Sequence, residues 1–311
     1  MKIIEFRVIV PTNVEKYEIG NRYMNYLYII DEKGGGEGIE ILNNEPFENE
    51  HEKGRYTYKI YHIKSKIPAA FRWAVPDKYL HFHEKSWNAF PHYFTQYSVP
   101  GMGKDFVLSI ESQHINYTNG MEIPDNIIGL SKEELKERKI VYLDVINGPV
   151  EPDKPEFDMH GFVCPEANIN TPINSNDKYD EKQIPPWVTR YDGPMTMCIK
   201  VVKFHFKWWG LQTAVEKFVM NSTYPGLFTN SHRKLMASMK DWYNMTMDQI
   251  IALEEKVTKE QYDDGGFQRD DEESSGAPPP NGPPEGQPNE EENEEPKKEK
   301  KEKKEKKKSK K

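Results

Sequence analysis

The stretch KVVKFHFKWWGLQTAVEKFVM, residues 200–220, contains the change of hydrophobic period that decides the fold class. In its first half Val202, Phe204 and Phe206 alternate with residues of the opposite face, as in a strand buried on one side. After Gly210 the apolar residues recur at three- and four-residue spacing, the pattern of a core-facing helix. That stripe consists of Leu211, Ala214, Val215, Phe218 and Val219. The stretch therefore predicts a strand that leads directly into a helix.

Two adjacent tryptophans, Trp208 and Trp209, stand at the junction between this strand and this helix. Neighbouring residues of a strand face opposite sides, so both indole rings cannot easily enter one core. A tryptophan pair beside Lys207 suits a membrane interface, where one end of each ring is apolar and the other is wet. Ordinary packing of one tryptophan against the following helix is the alternative, and these residues alone leave both interpretations open.

The composition changes abruptly at residue 263 of the 311-residue chain. Residues 263–311 are an acidic, Pro/Gly-rich segment followed by a Lys/Glu run, which buries too little apolar surface to offset chain entropy. We predict one domain over residues 1–262 and a disordered tail over residues 263–311. The tail has 12 basic and 15 acidic residues, so the whole-chain net charge of −8 leaves −5 for the domain. This negative balance argues against a general nucleic-acid-binding protein.

Membrane-spanning and secretory signals are missing from the sequence pattern. No window approaches the roughly 18 apolar residues of a spanning helix, and the N-terminal MKIIEFRVIVPTN has no uninterrupted apolar run. Cys164 and Cys198 do not belong to a CxxC motif, and a reducing compartment is the default for such a chain. We therefore expect a cytoplasmic protein.

Period-two segments separated by turn residues predict an antiparallel sheet of seven or eight strands. The predicted strands cover residues 4–10, 38–43, 54–66, 77–89, 92–99, 105–114, 139–146 and the start of 200–220. A T-x-x-E capping box at Thr12 predicts a long helix, and a second box at Thr246 predicts the last helix. Short helices are predicted at 69–74 and, from a third capping box, after Ser131. A further helical stretch has Leu235, Met239 and Trp242 on one apolar face. Residues 147–190 are predicted to be a long irregular connection. The sum is an α+β fold, a curved sheet wrapped over long helices with room for a cavity.

Polar residues interrupt faces that otherwise look buried. They fall on strand faces that also carry apolar residues, or on the apolar stripe of the last helix. These residues are Thr57, Lys59, Asn88, Ser112 and Glu254. Each one alone is by default a solvated border residue. Together they indicate an apolar cavity with a few hydrogen-bonding groups, a cation and a carboxylate, which suits an amphiphile with a polyhydroxylated head and two apolar tails.

No catalytic arrangement is recognisable in the sequence. There is no G-x-S-x-G elbow, and the glycine-rich GGGEG lacks the G-K-[ST] ending of a phosphate-binding loop. His81, His83 and Glu84 lie close in sequence, but no further ligand follows at a metal-binding spacing. We therefore predict no enzyme activity, no metal and no cofactor other than a bound cargo.

Five strings of the sequence resemble the soluble, class I phosphatidylinositol transfer proteins. They are GGGEGIEILNNEPFE, HEKGRYTYKIYHIKSKIP, HFHEKSWNAFP, VKFHFKWWGLQTAVEKF and LFTNSHRKLMASMKDWYNMTMDQI. The resemblance implies a helix-grip fold, related to the START domains, that closes over one phospholipid. It also implies exchange of phosphatidylinositol and phosphatidylcholine between cytosolic membrane faces, such as those of the Golgi and ER, by a monomeric, peripheral carrier. The alternative is a sensor that presents phosphatidylinositol to lipid kinases without net transfer.

The resemblance also assigns site residues, motif by motif. It implies an inositol-binding set, Thr57, Lys59, Asn88 and Glu254; a phosphate-binding set, Lys200, Thr95, Ser112 and Asn21; and a membrane-docking pair, Trp208 and Trp209. Three positions depart from the family pattern: Ser112 stands where relatives have Thr, Asn21 where they have Gln, and Tyr93 where they have a pocket cysteine. The bulk of Tyr93 leaves the preference for choline lipids open, and the Lys/Glu tail has no counterpart in the family pattern.

Overall fold

The structure is a computed structural model that describes residues 1–32, 39–62, 76, 79, 81–151, 153–173, 177–263 and 282–283. The helix predicted at 69–74 and nearly all of the predicted tail lie outside these residues. The last helix extends through Asp263, one residue beyond the predicted end of the domain.

Ten strands occur in the described part of the chain, eight of them in one sheet. They are β1 (Lys2–Val10), β2 (Ile39–Glu48), β3 (Lys53–His62), β4 (His81–Ala89), β5 (His92–Ser98), β6 (Phe106–Tyr117), β7 (Arg138–Leu143), β8 (Phe162–Cys164), β9 (Ile169–Ile173) and β10 (Met195–Phe206). The large sheet has the order β2-β3-β4-β5-β6-β10-β1-β7. Strands β8 and β9 form a separate hairpin inside the connection predicted to be irregular. The predicted α+β fold and the eight strands of its sheet are confirmed.

One pair of strands differs from the antiparallel prediction, because β7 runs parallel to β1. The chain leaves β6 and crosses the outside of the sheet before β7 begins. Leu130 in this crossing packs against Ile3 and Val201. A short helix, Lys132–Glu137, follows the capping box predicted at Ser131, which is confirmed. The crossing returns the chain to the sheet edge in the direction of β1, and the pair is therefore parallel.

Six α-helices accompany the sheet in the described residues. They are α1 (Val14–Glu32), α2 (Lys132–Glu137), α3 (Gln212–Phe218), α4 (Tyr224–Ala237), α5 (Met239–Trp242) and α6 (Met247–Asp263), with a π-helical turn over Val219–Thr223 between α3 and α4. None of the described helices is long and apolar enough to cross a membrane.

Helices α1 and α4 cover one face of the sheet, which we call the inner face. The ring of Tyr17 in α1 lies 5.0 Å from that of His114 in β6, and Phe228 in α4 lies 5.4 Å from Phe6 in β1. The face predicted from Leu235, Met239 and Trp242 is fully buried. Helix α6 packs on α1. The inner face is therefore enclosed by elements from both ends of the domain.

The N-terminal cap of α1 is one residue away from its predicted position. The side chain of Asn13, not Thr12, accepts the backbone N–H of Lys16 at 2.9 Å. Thr12 is fully buried, and its carbonyl oxygen accepts the hydroxyl of Thr196 at 2.7 Å. This contact keeps Thr12 at the end of the sheet, so the prediction of a Thr12 cap is wrong. The cap predicted at Thr246 is confirmed by reciprocal bonds with Gln249.

The strand-to-helix transition in residues 200–220 is confirmed, but the predicted core-facing stripe of the helix is only partly correct. Val215 and Val219 are half-buried and pack against the core, whereas Ala214 is exposed. Val202 and Phe204 of β10 are buried as expected. In α3, however, Phe218 is 41% exposed while Glu216 is only 6% exposed. The carboxylate of Glu216 accepts the backbone N–H of Phe206 at 3.3 Å. Helix α3 thus turns a polar side inward, because that side closes the end of β10.

Candidate functional site

A line of four side chains crosses the inner face near the middle of the sheet. Backbone pairing places Asn88 opposite Tyr93, Tyr93 opposite Ser112, and Ser112 opposite Lys200. Lys200 in turn pairs with Phe6, whose ring contacts α4, so the line lies on the inner face. Residues opposite one another in antiparallel strands have Cβ atoms about 5 Å apart. We call this line the central row; it joins one predicted headgroup residue to two predicted phosphate residues.

A second row of hydroxyl groups runs beside the central row. Thr57 is opposite Ser86, and Ser86 is opposite Thr95. The hydroxyl oxygens of Ser86 and Thr95 are 2.6 Å apart. The hydroxyl oxygen of Thr57 is buried and has no hydrogen-bond partner among the described residues. Leaving a buried hydroxyl unpaired costs about 1–3 kcal/mol, so this group is available to a ligand.

The predicted cation Lys59 already has a partner, the carboxylate of Glu84, at 3.6 Å. Glu84 is buried, whereas the side chain of Lys59 is 29% exposed. Burial raises the pKa of Tyr97 well above its usual range, and the nearby Glu84 carboxylate adds to that effect. In the sequence Glu84 was considered only as a metal candidate beside His81 and His83, not as a lipid-binding residue, although it shares a strand face with Asn88.

Lys200 is a partly enclosed ammonium with little to balance its charge. Its Nζ lies 5.5 Å from the ring centroid of Phe228, a cation–π contact. No carboxylate among the described residues lies within salt-bridge distance of it. Burial lowers the pKa of Lys200, because a low-dielectric surrounding disfavours the charged form. An anion beside this ammonium would stabilise its charged form and so oppose the lowering of the pKa of Lys200 by burial.

Helices α1 and α6 bring the remaining predicted residues to the same region. Asn21 of α1 donates from Nδ2 to the hydroxyl of Tyr93 at 3.3 Å. Glu254 of α6 accepts from Nη1 of Arg22 at 3.0 Å. Burial raises the pKa of Glu254, while the cations Arg22 and Arg55 oppose the rise. Arg55 is opposite Asn88 in the sheet, so Glu254 lies at the Asn88 end of the central row.

The tryptophan pair lies apart from these rows, beyond the end of β10. The ring of Trp208 stacks on Phe206 at 5.9 Å and meets Tyr79 edge-on at 5.5 Å. Trp209 is 98% exposed. One tryptophan is therefore packed and the other projects into solvent.

The three residues considered as a metal site, His81, His83 and Glu84, do not come together in the structure. Nδ1 of His81 is 2.9 Å from Nδ1 of His62, and Nδ1 of His83 is 2.6 Å from the hydroxyl of Tyr58. Glu84, the residue after His83 on the strand, points to the other face of the sheet and pairs with Lys59. These contacts occupy all three groups with protein partners.

A cavity of about 440 Å³ lies between the inner face at β7 and the start of α4. Its lining includes the apolar residues Ile4, Phe6 and Met220 and the polar residues Glu151 and Asn230. Its lining residues, among those described, include none of the predicted headgroup or phosphate residues. The predicted headgroup and phosphate residues therefore lie outside this cavity, on the central row and beside it.

Hydrogen-bonding groups and an ammonium on the enclosed face of an α+β domain are the groups that a protein holding an amphiphilic ligand between a sheet and its helices would need. The family whose sequence profile matches residues 1–259 is described as phosphatidylinositol transfer protein. The chain belongs to this family.

Individual relatives show the same similarity over nearly their whole lengths. The phosphatidylinositol transfer protein beta isoform of Rattus norvegicus is 38% identical over 260 residues, which cover 83% of this chain and 92% of the relative. Phosphatidylinositol transfer protein 1 of Dictyostelium discoideum is 36% identical over 260 residues, covering 84% and 94% respectively. The resemblance seen in the sequence motifs is thereby confirmed.

Proposed function

We propose that the domain of residues 1–262 binds one molecule of phosphatidylinositol or phosphatidylcholine and exchanges it between membranes. The observation that carries the proposal is the central row, with hydrogen-bonding groups along it and the unbalanced ammonium of Lys200 at its end. Membership in the phosphatidylinositol transfer protein family supports the same class of ligand.

The ligand explains why an enclosed site is needed. Two acyl chains hold about 30 methylenes, and exposing them to water would cost on the order of 25 kcal/mol at roughly 0.8 kcal/mol each. Spontaneous movement of a phospholipid through water is therefore slow. A carrier must cover the whole molecule between the sheet and the helices, and it must open at the membrane to release it.

We assign the inositol ring to Thr57, Lys59, Asn88 and Glu254. A ring of hydroxyl groups can donate to the Glu254 carboxylate and accept from the Lys59 ammonium. It can also pair with the buried hydroxyl of Thr57, which has no partner among the described residues. A choline headgroup lacks hydroxyls and would leave such groups unpaired, at about 1–3 kcal/mol each. This difference would favour phosphatidylinositol.

We assign the phosphate, which both lipids share, to Lys200, Ser112, Thr95 and Asn21. A phosphate beside Lys200 would stabilise the charged ammonium that burial disfavours. Ser112 is opposite Lys200, so its hydroxyl is suited to the same anion. Phosphatidylcholine would bind through these shared contacts without the inositol-specific ones.

We assign membrane docking to Trp208 and Trp209, with exchange at cytosolic faces such as those of the ER and Golgi. A peripheral, monomeric carrier without enzyme activity fits this role. The run Lys297–Lys311 contains 11 Lys and 3 Glu. Near anionic lipid each lysine would add roughly 1 kcal/mol of attraction. The run would otherwise pair with the acidic block before it; deleting residues 297–311 and measuring binding to anionic vesicles separates these two roles.

Transfer of labelled phosphatidylinositol and phosphatidylcholine between vesicles tests the proposal. Lys59→Ala should reduce transfer of the inositol lipid alone, and the double variant Trp208→Ala, Trp209→Ala should reduce transfer of both. The matched control is Lys85→Ala, because Lys85 is an exposed lysine on the adjacent strand β4, and its ammonium lies over the ring of Tyr58. Unchanged phosphatidylinositol transfer by Lys59→Ala would refute the headgroup assignment.

The same assay distinguishes the alternatives. A wild-type protein that loads one lipid without transferring it would be a sensor that presents phosphatidylinositol to a lipid kinase. Turnover of the headgroup by the purified protein would point to an enzyme.

A further inference from the structure

We propose that the hydroxyl of Tyr93 donates a hydrogen bond to the phosphate of the bound phospholipid, and that Asn21 acts through Tyr93 as its positioning residue. The inference rests on the proposed function, since it adds a group to the proposed phosphate site. It also changes the role of Asn21, which was expected to contact the phosphate directly.

The position of Tyr93 in the central row is the first support. Tyr93 lies on β5 between Asn88 of β4 and Ser112 of β6, and Ser112 is opposite Lys200. Neighbouring strands are about 4.8 Å apart. A phosphate held by Ser112 and Lys200 is therefore one strand away from Tyr93, on the same face of the sheet. Tyr93 is also the member of the row that lies between the proposed headgroup and phosphate contacts.

The ring and the hydroxyl of Tyr93 are both held in place. The ring packs against Phe90 at 6.0 Å and against His114 at 5.2 Å between centroids. The hydroxyl oxygen accepts the side-chain N–H of Asn21 at 3.3 Å. A tyrosine hydroxyl has one proton to donate in addition to the lone pairs that accept. Among the described residues no acceptor takes that proton, so it is free to bond an incoming anion.

The charge state of Tyr93 suits a donor. Burial raises the pKa of Tyr93, Glu18 and Glu254 add to the rise, and Arg22 opposes it. The phenol therefore keeps its proton at neutral pH. The amide nitrogen of Asn21 can only donate, so it occupies a lone pair of the phenolic oxygen and leaves the phenolic proton available to another acceptor.

Equilibrium loading of the full-length chain with labelled phosphatidylinositol or phosphatidylcholine tests the proposal in four proteins: Tyr93→Phe, Asn21→Ala, the double variant and Tyr58→Phe. Phenylalanine keeps the ring contacts with Phe90 and His114. Tyr58→Phe is the matched control, because the hydroxyl of Tyr58 bonds to His83 on the outer face, 2.6 Å away. We expect Tyr93→Phe to weaken loading of both lipids by a similar factor, on the order of tenfold for one charge-assisted hydrogen bond. Asn21→Ala should weaken loading in the wild-type background and add nothing to Tyr93→Phe.

A second readout separates ligand contact from a structural role. The ³¹P resonance of the bound phospholipid should shift in Tyr93→Phe and stay in place in Tyr58→Phe. Unchanged loading and an unshifted resonance in Tyr93→Phe would overturn the proposal. So would additive effects of the two substitutions, or a loss confined to the inositol lipid, which would move Tyr93 to the headgroup site. If the wild-type protein loaded no phospholipid, the proposed function itself would fail, and the ³¹P experiment would have no bound lipid to report.

Discussion

Arg22 of α1 and Glu254 of α6 form an ion pair, with 3.0 Å between Nη1 of Arg22 and Oε2 of Glu254. The guanidinium of Arg22 is also 3.5 Å from Glu18, one helical turn earlier. The pair ties the last helix to the first long helix at the end of the central row. The carboxylate that we assign to the inositol ring is therefore also a contact between helices, so the proposed ligand binding would compete with helix docking for the same group.

Replacing Arg22 by Met should loosen α6. Both side chains are about a third exposed, at 36% and 31%, so the pair contributes no more than about 1 kcal/mol. Amide hydrogen exchange in α6 should accelerate by up to about fivefold. The control Lys139→Met removes the exposed pair of Lys139 with Glu181 and should leave α6 unchanged. Equal exchange in Arg22→Met and wild type would show that the pair does not hold α6.

Replacing Arg233 by Met should be severely destabilising. Arg233 is fully buried in α4 and donates to three backbone carbonyls, those of Val145, Gly148 and Pro149, at 2.9, 2.6 and 2.7 Å. Without the guanidinium these oxygens stay buried and unpaired, and we expect a loss of about 3–5 kcal/mol in the free energy of unfolding.

Chemical denaturation measures the loss, with two comparisons. Arg233→Lys should lose most of the same stability, because one ammonium cannot reproduce the planar fork of donors. Arg190→Met removes an exposed pair with Asp177 and should cost less than about 1 kcal/mol. A cost for Arg233→Met as small as that of Arg190→Met would contradict the prediction.

Gly20→Ala should destabilise the protein even though alanine favours helices. A Cβ at Gly20 in α1 would lie 2.6 Å from the ring of Trp242. Trp242 is fully buried and its indole N–H bonds to the carbonyl of Leu235 at 2.9 Å, so the ring has no room to move. We expect a loss of about 1–3 kcal/mol in thermal or chemical unfolding.

Gly226→Ala is the matched control for Gly20→Ala. It lies in α4, and the nearest atom to its added Cβ would be a carboxylate oxygen of Glu151 at 3.8 Å. This substitution should be neutral or stabilise the protein by up to about 1 kcal/mol. If both substitutions stabilised the protein, the contact between α1 and α5 would be looser than the structure describes.

Acid should destabilise the protein through His114 and His232. Burial lowers the pKa of both side chains, for His232 to about 3. The unfolded chain therefore binds protons that the folded protein does not take up until the pH is far lower. Their contribution is fully present above about pH 6.5 and is lost as the pH falls, by up to about 1.4 kcal/mol per pH unit for each histidine. Urea unfolding measured at several pH values should show this slope.

Two variants check the origin of the slope. His232→Gln should reduce the slope between about pH 6.5 and 4.5 relative to wild type. The contribution of His92 to stability has the opposite dependence on pH, because the hydrogen bond of His92 to Glu111 raises its pKa. Its contribution is present at low pH and is lost as the pH rises through the folded value, so His92→Gln should cost more at pH 6 than at pH 8. Identical slopes in His232→Gln and wild type would rule out the histidine explanation.

Replacing the two tryptophans one at a time should distinguish an effect on folding stability from an effect on membrane binding. Trp209 is 98% exposed, so Trp209→Ala should leave the unfolding midpoint unchanged and weaken binding to vesicles. Trp208 packs on Phe206 and Tyr79, so Trp208→Ala should lower stability by about 1–3 kcal/mol through lost ring contacts. Unfolding and vesicle co-sedimentation of both variants test this; vesicle binding unaffected by Trp209→Ala would exclude a docking role for that ring.

Strand parity was readable from the sequence because it is a local property of the backbone. Successive side chains of an extended chain point to opposite faces whatever the rest of the protein does. Thr57, Lys59 and Asn88 were therefore expected on one face, and their pairing partners lie on that face. The capping boxes at Ser131 and Thr246 were equally readable, since each involves only four consecutive residues.

The sequence alone thus determined the α+β class, the switch from strand to helix after β10 and the faces that carry the polar residues. Only the tertiary structure decided the register that aligns Asn88, Tyr93, Ser112 and Lys200, the contact of Asn21 with Tyr93 and the parallel pairing of β7. It also moved the first cap from Thr12 to Asn13. These features depend on packing between residues far apart in the chain. Many alternative contacts are available to such residues, and no local sequence pattern indicates which of them form.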